Sequence, residues 1–472
     1  MSQQSDRYPS ALVRAVAIAC GLLLGPGAAH AGWPDHPGTL GITNVTVATR
    51  DAKTATVQFD IAWDGSWRHE ANHDAAWVFF KVRPDGATEW QHVRLAADKV
   101  LNPTGYGQEK GGTRLDFIVP DGPDGFTGMF VRRAEYGVGK VAATKVTAVW
   151  DLAANKGIPK NAKVRMQALG ILMVYVPEGP FHLGSGGLTA GGFYKYTDGS
   201  QHALPYQVTG PGAIPTGRQA GKLWAGKGGA QPEDGGGIPA AFPNGYPAFY
   251  CMKYQITPEQ YAFFLNALSE DEADRRYAGE ERCAPPRMNY SGARPRVVRD
   301  EKSPAARYSA KPGGPRGGVA CFGLSWADGA AFAAWVGLRP MTELELEKAV
   351  RGAREPIPEE VGPSYWGIQT FARNAWDTYK GDPQCERPVT VGNAAGRRFK
   401  GTHGLGTTAL PADWPQDDAV GSGMRCTYYT AFQVDLLRAR VSDRLLAAVA
   451  DPQRLFSHRW RGVRTAPKGV GP

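Results

Sequence analysis

Across the first third of the chain, apolar residues recur at every second position in short runs, and turn residues separate the runs. Val45-Thr46-Val47-Ala48-Thr49 and Thr56-Val57-Gln58-Phe59-Asp60-Ile61 alternate on either side of Asp51-Ala52-Lys53. Period-two alternation places one set of side chains on one face of a strand, so each segment has a single face to bury. Trp77-Val78-Phe79-Phe80-Lys81-Val82 is a largely apolar run closed by Pro84-Asp85-Gly86, the pattern of a strand buried on both sides. Arg114–Val119, Gly128–Arg132 and Thr144–Trp150 supply further strands. Short strands cannot bury an apolar face alone, so this series predicts antiparallel sheets packed face to face.

Residues 32–168 therefore read as an N-terminal β-sandwich of immunoglobulin or fibronectin type. Such a class carries no chemistry by itself. Within it, His69-Glu70-Ala71-Asn72-His73 spells a zinc-protease signature. That motif works only on a helix, where both imidazoles fall on one face. Here it lies between two strand-like segments without helical periodicity, and a loop is expected.

The remaining two-thirds has a different pattern. Met173-Val174-Tyr175-Val176-Pro177-Glu178-Gly179-Pro180-Phe181 opens with an apolar run, and a Gly-rich insertion covers about residues 185–243. That insertion has too few apolar residues for a core of its own and is expected to wrap the surface as ordered loops. At Phe249–Thr257 a strand runs into a helix, with Thr257 as N-cap and Pro258 at the first helical position. A second helix follows Ser325, and a third, Thr342–Arg351, carries a capping box from Thr342 to Glu345. A chain of 472 residues exceeds one ordinary core, so two domains are expected, α+β overall.

The N-terminus reads as a secretory leader. Arg7 and Arg14 precede the apolar run Ala15–Leu24, and Ala29-His30-Ala31 makes a small-x-small cleavage site. The run is too short to cross a bilayer. Residues 1–31 are thus expected to be a signal peptide cleaved before Gly32, with export as the consequence and no transmembrane segment. The net charge of +9 is spread along the chain, and an exported protein rarely meets nucleic acid, so no nucleic-acid partner is expected. Beyond the leader lie Cys251, Cys283, Cys321, Cys385 and Cys426, an odd set without C-x-x-C spacing. In an oxidising compartment some should pair, and the sequence leaves the pairing open.

Taken in order, several segments resemble the formylglycine-generating enzyme (sulfatase-modifying factor) family. Met173–Phe181 is similar to its opening strand, and Phe249–Thr257 with Glu259–Asn266 to its strand-helix motif. Leu324–Ala330, Leu338–Glu345 and Glu347–Gly352 resemble its helix starts, and Trp460–Arg464 its closing strand. The resemblance runs from Met173 to Arg464. It implies a compact domain of C-type-lectin-like fold over residues 169–467, with Trp326, Arg339 and Glu345 serving as internal scaffold.

The chemistry the resemblance implies is less well matched. Formylglycine-generating members oxidise a substrate cysteine with copper, using two cysteines a few residues apart. The corresponding stretch, Met424–Val434, offers only Cys426, so no catalytic residue is assigned and that activity is not expected. Other relatives use histidine-based non-haem iron. His182, His202, His403 and His458 are the histidines of this domain, none in helical pairs. A metal-dependent oxidase of either branch stays as the alternative reading. Calcium is a further cofactor the resemblance implies, at Asp382–Glu386, where only Glu386 of the family's turn survives.

The C-terminal stretch also resembles the variable proteins of diversity-generating retroelements. These use the same fold and scatter substitutions at Asn codons over one ligand-binding face. Gly421 to Pro467 contains no Asn but is rich in aromatic and apolar residues. The candidate contact residues are Tyr428, Tyr429, Phe432, Val434, Leu455, Phe456 and His458. Aromatic contacts offer large area at low entropy cost. An exported binding protein displaying this face to a protein or glycan is the expected function.

Overall fold

A computed structural model describes Ala19–Cys20 and residues 40–102, 113–122, 125–158, 162–186, 189, 191–198, 204–226, 236–279, 297–302, 307–310, 320–321, 323–358, 360, 364–369, 385–386, 412, 414–426, 429–430, 433–434, 440–447, 450, 452–454 and 458–472. Of residues 19–20, 97–99, 385–386, 426, 429–430 and 433–434 it describes the backbone alone.

The alternation predicted for the first third is present as strands. In Thr54–Arg68, Ala55, Val57, Phe59, Ile61 and Trp63 are buried while the residues between them are half-exposed. This strand pairs antiparallel with Gly41–Thr49 on one side and Gly137–Asp151 on the other, and Leu95–Val100 completes a four-stranded sheet. Its apolar face packs on Val78, Phe80 and Val82 of strand Asp74–Pro84. Phe59 meets Phe80 edge-on, with ring centroids 5.6 Å apart.

Asp74–Pro84 belongs to a second, nine-stranded sheet that unites the two halves of the chain. Its main path runs Arg339–Pro340, Gly462–Thr465, Phe249–Met252, Val164–Val176, Asp74–Pro84, Met129–Arg133, Leu115–Ile118. Ala19–Cys20 also pairs with Val164–Arg165. The central strand Val164–Val176 runs unbroken through Ala168 and Leu169. It pairs with Asp74–Pro84 on one side and Phe249–Met252 on the other. Near its start Val164, Met166 and Ala168 join the core between the two sheets; Leu169, Ile171, Met173 and Tyr175 join the core under the helices. A strand covered on both faces reads as a near-continuous apolar run, as Leu169–Val176 does. The two expected domains thus share one sheet.

All three expected helices are present, and each starts with a capping box. In α1, Pro258–Asn266, Thr257 and Gln260 form a reciprocal capping box. In α3, Trp326–Val336, Ser325 and Asp328 do the same. In α4, Glu343–Arg351, the pair is Thr342 and Glu345. A short α2, Glu270–Arg276, was not anticipated; Ser269 caps it, and Arg276 pairs with Glu272 at 2.7 Å. Helix α3 is buried along its whole length. Gly329 is required there because the Trp460 indole lies against it: a Cβ would sit 2.1 Å from Trp460 Cγ. Gly337 ends the helix in the left-handed region at φ 79°, where glycine carries no side-chain penalty.

Buried polar contacts seal the junction between the halves. Trp77 Nε1 donates to Val336 O at 2.8 Å, and Lys253 pairs with Asp74 at 3.1 Å. Lys81 Nζ donates to Trp335 O at 2.5 Å and lies 4.4 Å from that indole. Burial, with Arg94 nearby, pushes the Lys81 pKa well below its usual value. At the C-terminal end, Tyr175 Oη, Arg132 and Arg68 donate to the consecutive carbonyls of Val470, Gly471 and Pro472 at 2.6, 2.6 and 2.8 Å.

Two segments differ from or refine the expectations. The Gly-rich insertion forms short two-stranded ladders, and Phe193, Val208, Ile214, Leu223 and Ile238 enter the main core instead of only wrapping the surface. The His69–His73 motif is a turn between two strands, with His69 exposed and His73 buried against Tyr250 Oη at 3.0 Å. Among the described residues, no helix is long and apolar enough to cross a membrane.

Candidate functional site

Helix α4 projects two carboxylates, Glu343 and Glu347, into the interior one turn apart. Both are fully buried, as are Arg351 and Arg444, and Arg425 is nearly so. Arg444 grips Glu343 through Nε–Oε2 and Nη2–Oε1, each 2.9 Å. Arg425 reaches Glu343 at 3.3 Å and Glu347 at 3.1 Å, and donates to Val441 O at 2.5 Å. Arg351 bonds Glu347 at 3.2 Å, Glu360 at 2.7 Å and Ser442 Oγ at 2.7 Å. Three guanidinium groups thus meet three carboxylates. Each charge is expensive to bury, and close pairing with opposite charges through hydrogen bonds offsets the desolvation.

This cluster fixes both ends of the C-terminal segment. Arg425 enters from before it and Arg444 from after it, and Met424 N donates to Leu446 O at 3.1 Å, closing a neck. Arg444 also donates to Gly191 O at 2.8 Å and stacks on Phe193, its Cζ 3.6 Å from the ring centroid. The neck is therefore tied to the glycine-rich insertion as well as to α4. Between the two anchors, Tyr429–Thr430 and Gln433–Val434 pair antiparallel, with Tyr429 opposite Val434. Just before them, Arg425–Cys426 pairs with Cys385–Glu386, placing Cys426 opposite Cys385 and Arg425 opposite Glu386.

The candidate contact residues divide accordingly. Tyr429 and Val434 stand as register partners in one two-stranded ladder. Tyr428, Phe432, Leu455 and Phe456 lie outside the described residues. His458 is 1 % exposed, its Nδ1 3.1 Å from Gln453 O, which puts it inside the domain and not on a contact face. Two residues on, the Trp460 indole lies against Gly329 of α3, so the chain runs through the interior at this point.

The scaffold residues behave as the family resemblance implies. Trp326 is fully buried, and Arg339 holds Glu345 in a fork at 2.9 and 2.6 Å. Lys348, the next residue but two, donates to Gly245 O at 2.7 Å and Tyr246 O at 3.0 Å. Burial pulls its pKa down to about 7, partly opposed by Glu345 and Glu178.

The buried charge cluster was not anticipated. Charged side chains usually lie at the surface, and the partners of Glu343 are distant in sequence. The one local signal was the spacing Glu343, Glu347, Arg351, which puts three charges on one helix face. For the implied calcium turn, Asp382, Pro383 and Gln384 lie outside the described residues, and Glu386 stands opposite Arg425 in a strand pair. Among the described residues, no three of His, Cys, Asp and Glu come together as a metal donor set.

Residues 172–393 match the family model described as Sulfatase-modifying factor enzyme 1-like domain. No curated protein matches the chain.

Proposed function

Residues 172–393 of this chain are a sulfatase-modifying factor enzyme 1-like domain, and from that premise we propose that the protein is an exported binding protein whose C-terminal segment contacts a protein or glycan. The observation that carries this reading is the double anchoring of that segment. Arg425 and Arg444 are locked to α4 on either side of the ladder that holds Tyr429 and Val434. A contact surface gains affinity when its support is already ordered, because less freedom is lost on binding. The stretch between the anchors is rich in aromatic residues, the type that dominates binding hot spots. Tyr428, Tyr429, Phe432, Val434, Leu455 and Phe456 remain the proposed contacts, with diversification by a retroelement as their origin. His458 then serves the support.

In this reading, a leader is removed before Gly32 and the two-sheet N-terminal half is of immunoglobulin or fibronectin type. It holds the binding half rigidly through the shared strand Val164–Val176. The test is a titration of the full mature chain against arrays of defined glycans and purified surface proteins, beside a Tyr428→Ser/Tyr429→Ser variant. Binding by the parent that the variant loses supports the reading. Equal binding by both removes these tyrosines from the site.

One observation favours a second reading, a metal-dependent oxidase on the same scaffold. The register of Cys385 opposite Cys426 brings together two sulfur residues, and soft thiolates are the donors Cu(I) takes. Metal analysis of the purified protein tests it. One equivalent of copper, lost in Cys426→Ser, would favour this reading.

A further inference from the structure

We propose that Cys385 and Cys426 form a disulfide bond that clasps the base of the C-terminal segment. The two are direct register partners in an antiparallel pair, Cys385 opposite Cys426 and Glu386 opposite Arg425. Directly opposed residues on antiparallel strands have Cα atoms about 4.5 or 5.5 Å apart, depending on whether the pair is hydrogen-bonded. Both spacings fall inside the roughly 4.4–6.8 Å that a disulfide spans. Few other placements of two cysteines meet that requirement without backbone movement.

The position of strand Arg425–Cys426 is fixed independently of any sulfur chemistry. Its Arg425 side chain is buried among Glu343, Glu347 and the Val441 carbonyl. Cys385 is thus brought to a site that the charge cluster already defines. The other described cysteines lie elsewhere: Cys251 is buried in strand Phe249–Met252, 3.7 Å from the Met252 carbonyl, and Cys321 is buried ahead of α3.

The step balances as thiol–disulfide exchange with a disulfide oxidant such as oxidised glutathione. One protein thiolate attacks the oxidant's S–S bond, forming a mixed disulfide and releasing one reduced thiolate. The second protein thiolate attacks the protein sulfur of that mixed disulfide, forming Cys385–Cys426 and releasing the other. Two electrons pass from the protein sulfurs to the oxidant, and the two thiol protons end on its reduced form.

The clasp closes the segment between the two cysteines, so the unfolded chain loses loop entropy when it forms. The proposal does not depend on what the segment binds. It concerns how the base of the segment is held, and a disulfide and a two-thiolate metal site exclude each other at this position.

Peptide mapping of the full mature chain tests it. The protein is equilibrated with oxidised glutathione, alkylated without reduction and digested with trypsin. The expected product is Gly381–Arg397 joined to Cys426–Arg438, a species that separates on reduction. In Cys426→Ser, oxidation at Cys385 should stop at the glutathione mixed disulfide. Should Cys426→Ser fail to fold, Cys385→Ser supplies the same measurement at Cys426. Quantitative alkylation of both cysteines after oxidation, a bond from either to Cys283, or one equivalent of copper protecting both would overturn the proposal.

Discussion

Arg444 holds Glu343 in a two-pronged grip, Nε to Oε2 and Nη2 to Oε1 at 2.9 Å each, across 101 residues of sequence. Both side chains are fully buried. Removing the guanidinium leaves a buried carboxylate without its bidentate partner, a change that typically costs about 3–5 kcal/mol. Arg444→Met is therefore expected to lower the urea midpoint sharply. Because a buried pair replaced by apolar residues is often near neutral, Glu343→Leu/Arg444→Met should recover part of that loss. A double variant no more stable than the single one would mean the damage lies in packing against Phe193 and not in the unpaired charge.

Lys348 gives the protein a distinctive response to alkali. Its folded pKa of about 7 lies below the 10.5 of an ordinary lysine. Between those values the unfolded chain binds more protons than the folded one, so stability rises with pH across the window. Conversely, it is lost as pH falls from the unfolded value toward the folded one. One such group contributes at most about 1.4 kcal/mol per pH unit. Buried Lys81 acts in the same direction. Urea midpoints at about pH 7.5, 8.5 and 9.5 should climb in the parent and climb less steeply in Lys348→Met. Equal slopes in the two proteins would contradict the assignment.

Gly329 offers a steric test of the helical core. A methyl group at this position would lie within 2.1 Å of Trp460 Cγ, and α3 has no exposed side toward which to shift. Overpacking of this kind typically costs about 1–3 kcal/mol. Gly329→Ala should melt below the parent, with Trp460 as the perturbed fluorophore. An unchanged melt would show that the indole can move aside.

What the sequence revealed follows from the range of the forces involved. Alternation exposed the strand through Val57, Phe59 and Ile61 because a single buried face imposes period two locally. Thr257, Ser325 and Thr342 marked helix starts because a cap is satisfied within three residues. The shared strand was read only from Met173 onward. Its first half carries Arg165 and Gln167, and its continuity depends on pairing with Asp74–Pro84. Helix α2 was missed because its charged surface has no apolar stripe; it forms through its Ser269 cap and the Glu272–Arg276 pair. The site's support was the least legible part. Glu343 and Arg444, or Cys385 and Cys426, become neighbours only once the whole sheet is assembled. His458, a contact candidate by its place among aromatic and apolar residues, is interior: composition marks residue type and does not say which side of the chain is covered.

The central claim is that the stretch between Arg425 and Arg444 presents contact residues on a support that stands without them. A thermal melt of the full chain carrying Tyr428→Ser/Tyr429→Ser tests it before any ligand is known. Surface substitutions usually change stability by within about 0.5 kcal/mol, whereas truncating a core aromatic typically costs about 3–5 kcal/mol. The account predicts a melting curve that overlays the parent's to within about 2 °C. A variant that unfolds many degrees earlier would place these tyrosines in the core and contradict it.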